Sequence, residues 1–303
     1  MARIELCDDL PANIVELDVA DSGRLQDCYE RGFLIVLRGL RLQADFGFLS
    51  AIRDPAPNNN RRKYLLTHPD HAHRDCVRPE AWGHFREKVF AGDEGAFARF
   101  ECEVRNVNQQ LLEIADGAFP SYRYRSCPVA WKFQDLSQGE NLHIDNLDQC
   151  ETHARMRVFA NLADTPRRWA VGAHLRHYAS ECFESAGLQQ HLMSPFHFNR
   201  ALTVAAFGDN RYRVGEDVPR HRVEFEPGEV WLLNSAMTAH QVLYGKLLVL
   251  TTFAFPYRNY RNPGETLPRV ISEIGRGKLG TLRYARHVVR HHVGRVLRRG
   301  RAA

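Results

Sequence analysis

The chain lacks the features by which several protein classes declare themselves. No stretch of its 303 residues reaches the roughly 18 consecutive apolar residues of a membrane-spanning helix. No apolar core segment follows the start, Met-Ala-Arg-Ile-Glu-Leu-Cys-Asp-Asp, which is acidic within nine residues, so a cleaved signal peptide is not expected. Cys-x-x-Cys pairs are absent. The seven cysteines (7, 28, 76, 102, 127, 150 and 182) are odd in number and scattered, which argues against a disulfide framework or a cysteine zinc site. A reducing, cytoplasmic setting is the expectation. Gly-x-Ser-x-Gly, P-loop and Rossmann fingerprints are missing, so hydrolysis, phosphoryl transfer and dinucleotide chemistry have no local signature. Internal repeats and low-complexity tracts are missing too. An apolar content of 44% with 25% charged residues excludes wholesale disorder and collagen-like structure.

Acid is absent from the C-terminal segment. From Arg276 onward the sequence holds nine Lys/Arg (276, 278, 283, 286, 290, 295, 298, 299 and 301) and no Asp or Glu. Setting these aside leaves 32 of the 41 basic residues against 36 acidic ones, a body near −4. The net charge of +5 therefore sits on one terminal appendage, and a nucleic-acid face over the body is disfavoured.

The length allows one or two domains. The expected division is residues 1–274 as a single domain with helical N-terminal elements and 275–303 as a basic amphipathic tail. Gly275, Gly277 and Gly280 read as a flexible joint. Beyond them Leu282, Ala285, Val289, Val293 and Val296 recur at helical spacing, with arginines on the remaining faces. Such a helix fits an anionic membrane surface or another anionic partner. The bland alternative is a solvated helix packed on the body; nucleic acid is not an expected partner.

Residues 32–38 read as a strand and 54–76 as a polar loop. Phe97, Phe100, Val104, Val107, Leu111 and Ile114 step by three and four, which predicts a helix packed on a sheet. After Pro120 short strands follow one another, over 122–133, 140–146, 154–163, 168–172, 211–214, 221–226, 229–234 and 246–256, with helical pattern near 176–192. This is the pattern of an α+β protein built on a jelly roll with flanking helices.

Three His-x-Asp triplets occur: His68-Pro69-Asp70, His73-Arg74-Asp75 and His143-Ile144-Asp145. The first two lie in the polar loop. Only the third sits in a predicted strand, where alternation sends His143 and Asp145 to one face and Leu142 and Ile144 to the other. His240 follows 97 residues later, between two predicted strands. Two imidazoles and a carboxylate on one face of a barrel, with open positions opposite, are the facial triad of non-haem Fe(II) oxygenases. Two satisfied core histidines and an ordinary surface aspartate are the competing reading.

Longer blocks carry a resemblance. Leu142-His143-Ile144-Asp145, Arg157-Val158-Phe159-Ala160-Asn161 and Pro166-Arg167-Arg168-Trp169-Ala170-Val171-Gly172 occur in that order. Val223-Glu224-Phe225-Glu226-Pro227-Gly228-Glu229-Val230-Trp231, Ser235, His240 and Thr252-Phe253 follow. Over roughly residues 120–270 the chain resembles the Kdo hydroxylases, Fe(II)- and 2-oxoglutarate-dependent dioxygenases that hydroxylate the 3-position of the Kdo sugar attached to lipid A. The resemblance implies a double-stranded β-helix, with Fe(II), 2-oxoglutarate and O2 as cofactors. It implies His143, Asp145 and His240 as metal ligands. Only Lys246 is charged in the ten or so positions after His240, so the anion partner of 2-oxoglutarate is expected on another strand. Arg157 and Asn161 are the candidates. Arg167 and Trp169 are expected to meet a sugar acid by charge pairing and stacking. Two departures stand out: Cys127 replaces the arginine the family carries before Pro-Val, and the 134–140 loop is polar and mildly acidic. They favour one alternative, a 2-oxoglutarate-dependent hydroxylase of another sugar or small metabolite; a non-enzymatic jelly-roll binding module is the further alternative.

Overall fold

The computed structural model describes residues 2–55, 64–67, 78–124, 128–136, 141–146, 152–208 and 218–299, excepting the side chains of 134–136, 292 and 294–299. Its strands are β1 (Arg3–Glu5), β2 (Ile14–Leu17), β3 (Leu34–Arg41), β4 (Tyr64–Leu65), β5 (Val129–Leu136), β6 (His153–Asn161), β7 (Arg167–His174), β8 (His221–Phe225), β9 (Glu229–Leu233) and β10 (Thr238–Pro256). They form one curled sheet in the order β1-β8-β7-β10-β6-β9-β3-β2, with β5 also on β10 and β4 on β5. Every pair is antiparallel except β2 with β3. The 19-residue β10 closes the fold. Its first part, from Thr238 to Tyr244, pairs with β7, and its later part lies between β6 and β5.

Strand sequences are apolar on both faces because both faces are buried. Trp231 and Leu233 of β9 enter the barrel interior with Phe159, Trp169, Phe225, Leu248 and Leu250. Val230 and Leu232 point outward into a second core with Val158, Ala160 and Val249. That outer core is roofed by the helix α4 (Glu94–Ala118), whose buried face carries all six residues of the predicted stripe. Asp93 caps it, its side chain accepting from the N–H of Ala96. A third core joins α5 (Leu175–Cys182), α6 (Pro195–Phe207) and α7 (Leu267–Leu279) to Leu142, Ile144 and Ala239.

The α+β jelly roll is as expected, and several elements differ. Residues 141–146 form no strand of their own, because the chain bridges His240 only at His143 and the next amide ladder bond, from Asp145 N–H, goes to Ser235. The strand expected over 246–256 already begins at Thr238, so His240 lies within it. The expected loop 54–76 contributes the two-residue β4; its His-x-Asp triplets, like the strand expected over 211–214, lie outside the described residues. The helical signal near 176–192 resolves into α5 and a 3-10 turn at Leu188–His191. The helix α6 beyond them was not anticipated, although Ser194 caps it and Pro195 opens it. The predicted joint is also shorter: Gly275 and Gly277 lie inside α7, and only Gly280, at φ 75°, breaks the helix before α8 (Thr281–Arg299). Leu192 and Tyr284 pack so close to Gly275 that a Cβ there would stand 2.9 Å from one and 3.0 Å from the other.

Candidate metal centre

His143, Asp145 and His240 converge. One donor atom from each, a ring nitrogen or a carboxylate oxygen, lies within 4.8 Å of the others. The peptide groups of His143 and His240 exchange both hydrogen bonds, at 3.1 and 2.9 Å, which fixes their rings 4.5 Å apart at centroids. Nδ1 of His143 lies 2.7 Å from the carbonyl of Asn141, and Nδ1 of His240 lies 3.2 Å from that of Thr238. Each imidazole so oriented donates from Nδ1 and turns Nε2 toward the centre, the tautomer a metal ligand requires. Nε2 of His143 stands 3.7 Å from Oδ1 of Asp145.

The electrostatics suit a cation. Burial pushes the His240 ring down to about 3, aided by the neighbouring His143, so it is neutral at physiological pH. For Asp145 burial acts upward, but Arg157, His240, His143 and the Ser235 hydroxyl together hold the carboxyl well below its ordinary range. The side chains of His143 and Asp145 keep 24% and 13% exposure, so the cluster is open on one side.

The third core holds the 143–145 segment. Leu142 and Ile144 are buried among helices α5–α7, which leaves the alternate residues to the barrel. Asn199 of α6 donates at 2.9 Å both to the carbonyl of Asp145 and to that of Ala236. Thr203, one turn on, exchanges 3.2 Å bonds with the N–H and carbonyl of Ile144. Sequence reasoning missed both residues because it missed α6.

The other predicted residues divide. Arg157 projects from β6 and its Nη1 donates to Oδ2 of Asp145, so its first contact is a candidate ligand. Asn161 is engaged elsewhere: its amide donates to the carbonyls of Thr165 and Phe225 and accepts from Ala163 N–H, in the turn after β6. Trp169 stacks on His240, with centroids 5.7 Å apart and planes at 24°. Val171 opposes His240 across β7 and β10, so Trp169 and Arg167 follow it along the same inward row. Arg167 is fully buried against Gly245, where any side chain would strike the guanidinium. None of its three guanidinium nitrogens has a partner among the described residues, nor do the indole N–H groups of Trp169 and Trp231. Burial alone pushes Arg167 down to about 9. The barrel interior thus holds unpartnered donors from three side chains, an arrangement that calls for an anionic, acceptor-rich ligand. Cys127 and residues 137–140 lie outside the described residues.

A jelly roll with two imidazoles and a carboxylate on adjoining chain segments is the architecture of the non-haem Fe(II) oxygenases. Residues 97–277 match the family of 3-deoxy-D-manno-oct-2-ulosonic acid (Kdo) hydroxylases, and the chain belongs to that family. Solved structures that share the fold include three of the Kdo hydroxylase KdoO, described as a non-haem Fe(II) alphaketoglutarate dependent dioxygenase. The complex with succinate and Fe(III) is 16% identical with a TM-score of 0.60. That with alphaketoglutarate and Fe(III) is 14% identical at 0.59, and the apo form 15% at 0.60. Each alignment covers 86% of this chain and 95% of the other. No protein of curated function matches the sequence.

Proposed function

We propose that the chain is an Fe(II)- and 2-oxoglutarate-dependent hydroxylase that adds one oxygen at the 3-position of the Kdo sugar on a lipid A-linked glycolipid. It works as a peripheral protein at the membrane holding that lipid; no helix among the described residues is long and apolar enough to cross one. The observation that carries the reading is the convergence of His143, Asp145 and His240 within 4.8 Å in a chain of this family.

His143 and His240 would hold the metal through Nε2 and Asp145 through its carboxylate, leaving the open side for ligands. When bound, iron with 2-oxoglutarate and O2 supplies the oxidation of an unactivated C–H bond, and succinate and carbon dioxide leave. Arg157 holds Asp145 ionised and fixes one of its oxygens. Arg167, with the indole N–H groups of Trp169 and Trp231, fits the carboxylate far from the metal on 2-oxoglutarate. This differs from the expectation, in which Arg157 was the candidate partner of 2-oxoglutarate and Arg167 that of the sugar acid; here Arg157 is engaged with Asp145. The ring of Trp169 keeps the His240 imidazole in place.

The test is mass spectrometry of Kdo–lipid A precursor incubated with the protein, Fe(II), ascorbate and air, with and without 2-oxoglutarate. A gain of one oxygen only with 2-oxoglutarate, lost in His143→Ala, is the expected result. Succinate formed without that gain would remove the Kdo substrate and leave the hydroxylase class. Neither product would overturn both.

A further inference from the structure

The C-terminal helix turns its apolar stripe away from the protein. At roughly 100° per residue, Leu282, Val289 and Val293 fall within about 40° of one another on α8, and Tyr284 falls on the opposite side. Tyr284 is the residue that packs back onto α7, against Gly275. His287, Val288 and His291 share its side of the helix and are half-buried. Leu282, Val289 and Val293 are 79%, 60% and 52% exposed, three of the five large apolar side chains exposed among the described residues. An amphipathic helix that served only to cover the body would show the reverse. Arg283, Arg286 and Arg290 line one edge of the stripe, all exposed. The family match ends at residue 277, before α8 begins, so the helix is an addition to the matched region.

We propose that α8 is an interfacial anchor that lies along the surface of an anionic lipid bilayer, its Leu282–Val289–Val293 stripe entering the acyl boundary and its flanking arginines pairing with lipid phosphates. Two observations select this occupant. The stripe needs an apolar medium, which a nucleic acid does not offer. The segment from Arg276 on carries nine basic residues and no acid, which an uncharged or basic protein surface would not reward. Gly280, with its left-handed backbone, sets the angle between this helix and the body, and Lys278 ties the preceding turn to the carbonyl of Ser180 at 2.6 Å. The body is thereby held at a fixed attitude above the lipid.

The inference names the element behind the peripheral placement proposed above and does not depend on the hydroxylase chemistry. Its test is co-sedimentation of the full chain with vesicles of phosphatidylcholine alone or with about one-third phosphatidylglycerol, at about 0.1 M salt. The wild type is expected to pellet with the anionic vesicles only. The triple variant Leu282→Gln, Val289→Gln, Val293→Gln changes exposed positions to a good helix former and should partition at least about tenfold less. Arg286→Gln with Arg290→Gln should weaken binding and its dependence on salt. Wild-type protein that stays in solution overturns the proposal. So does a triple variant that binds like wild type and is displaced by single-stranded RNA, which would make α8 a general polyanion binder. Vesicle binding needs neither metal nor sugar, so either failure leaves the hydroxylase question untouched.

Discussion

Burying a guanidinium without a counter-ion costs several kcal/mol, and at Arg167 the described chain returns none of it through hydrogen bonds. Natural sequences keep such a group where a ligand supplies the missing charge. Replacing Arg167 with Met keeps most of the volume and removes the ion. Without ligand the variant should be as stable as wild type or more stable by about 1–3 kcal/mol. The wild type should gain about 2.7 kcal/mol from 2-oxoglutarate at a hundred times its Kd, and Arg167→Met almost none. Thermal unfolding with and without 2-oxoglutarate reads both. An unliganded variant that loses several kcal/mol yet still responds to 2-oxoglutarate would make Arg167 a structural ion instead.

Among the elements, α6 decides the site although it contributes no ligand. Asn199 and Thr203 clamp the backbone of 144–145, in a segment that bridges β10 only at His143 and so depends on other elements for its position. Asn199→Ala leaves the carbonyls of Asp145 and Ala236 without that donor. It should cost about 1–3 kcal/mol of stability, and metal affinity should fall by roughly 10–100-fold. Isothermal titration with a divalent metal checks the second effect; unchanged affinity would mean that Leu142 and Ile144 suffice. The same element shows how far the sequence could be read. The triad was legible because two-residue alternation survives in an extended segment even where no full ladder forms, and α4 because its stripe repeats from Phe97 to Ile114 along a 25-residue helix. Helix α6 was not, since Phe198 and Leu202 are too few to make a strong period and only its Ser-Pro start gave a local signal. The use of Asn161 in a turn was equally hidden: Thr165 is a local partner without a recognisable turn signal, and Phe225, 64 residues away, meets it only in the assembled sheet.

At the scale of the whole molecule, three cores share one curled sheet, and the junctions between them bury groups that must stay neutral. His174 is the clearest case. It stands where β7 passes into α5, caps that helix by accepting from Arg176 N–H at 3.2 Å, and packs against Thr238 and Gly32. Gly32, at φ 80°, has no room for a Cβ, which would lie 2.6 Å from the His174 ring. Burial, helped by nearby Arg176, pushes His174 down to about 4. Because the folded value lies below the unfolded value of about 6.5, the unfolded chain takes up a proton that the fold refuses. Stability is therefore full above about pH 6.5 and falls as pH drops toward 4, by about 3 kcal/mol for this residue. Asp145, whose folded value is also depressed, adds its own loss only below the ordinary carboxylate value of 3.8, so the two windows separate. His174→Asn retains an acceptor for the helix cap and cannot titrate. Denaturant unfolding followed between about pH 7 and 4 should show a slope in the wild type that is reduced in His174→Asn, the remainder coming from His240, whose ring is also held neutral by burial. An identical slope in both would assign the acid sensitivity to other groups and leave His174 a cap alone.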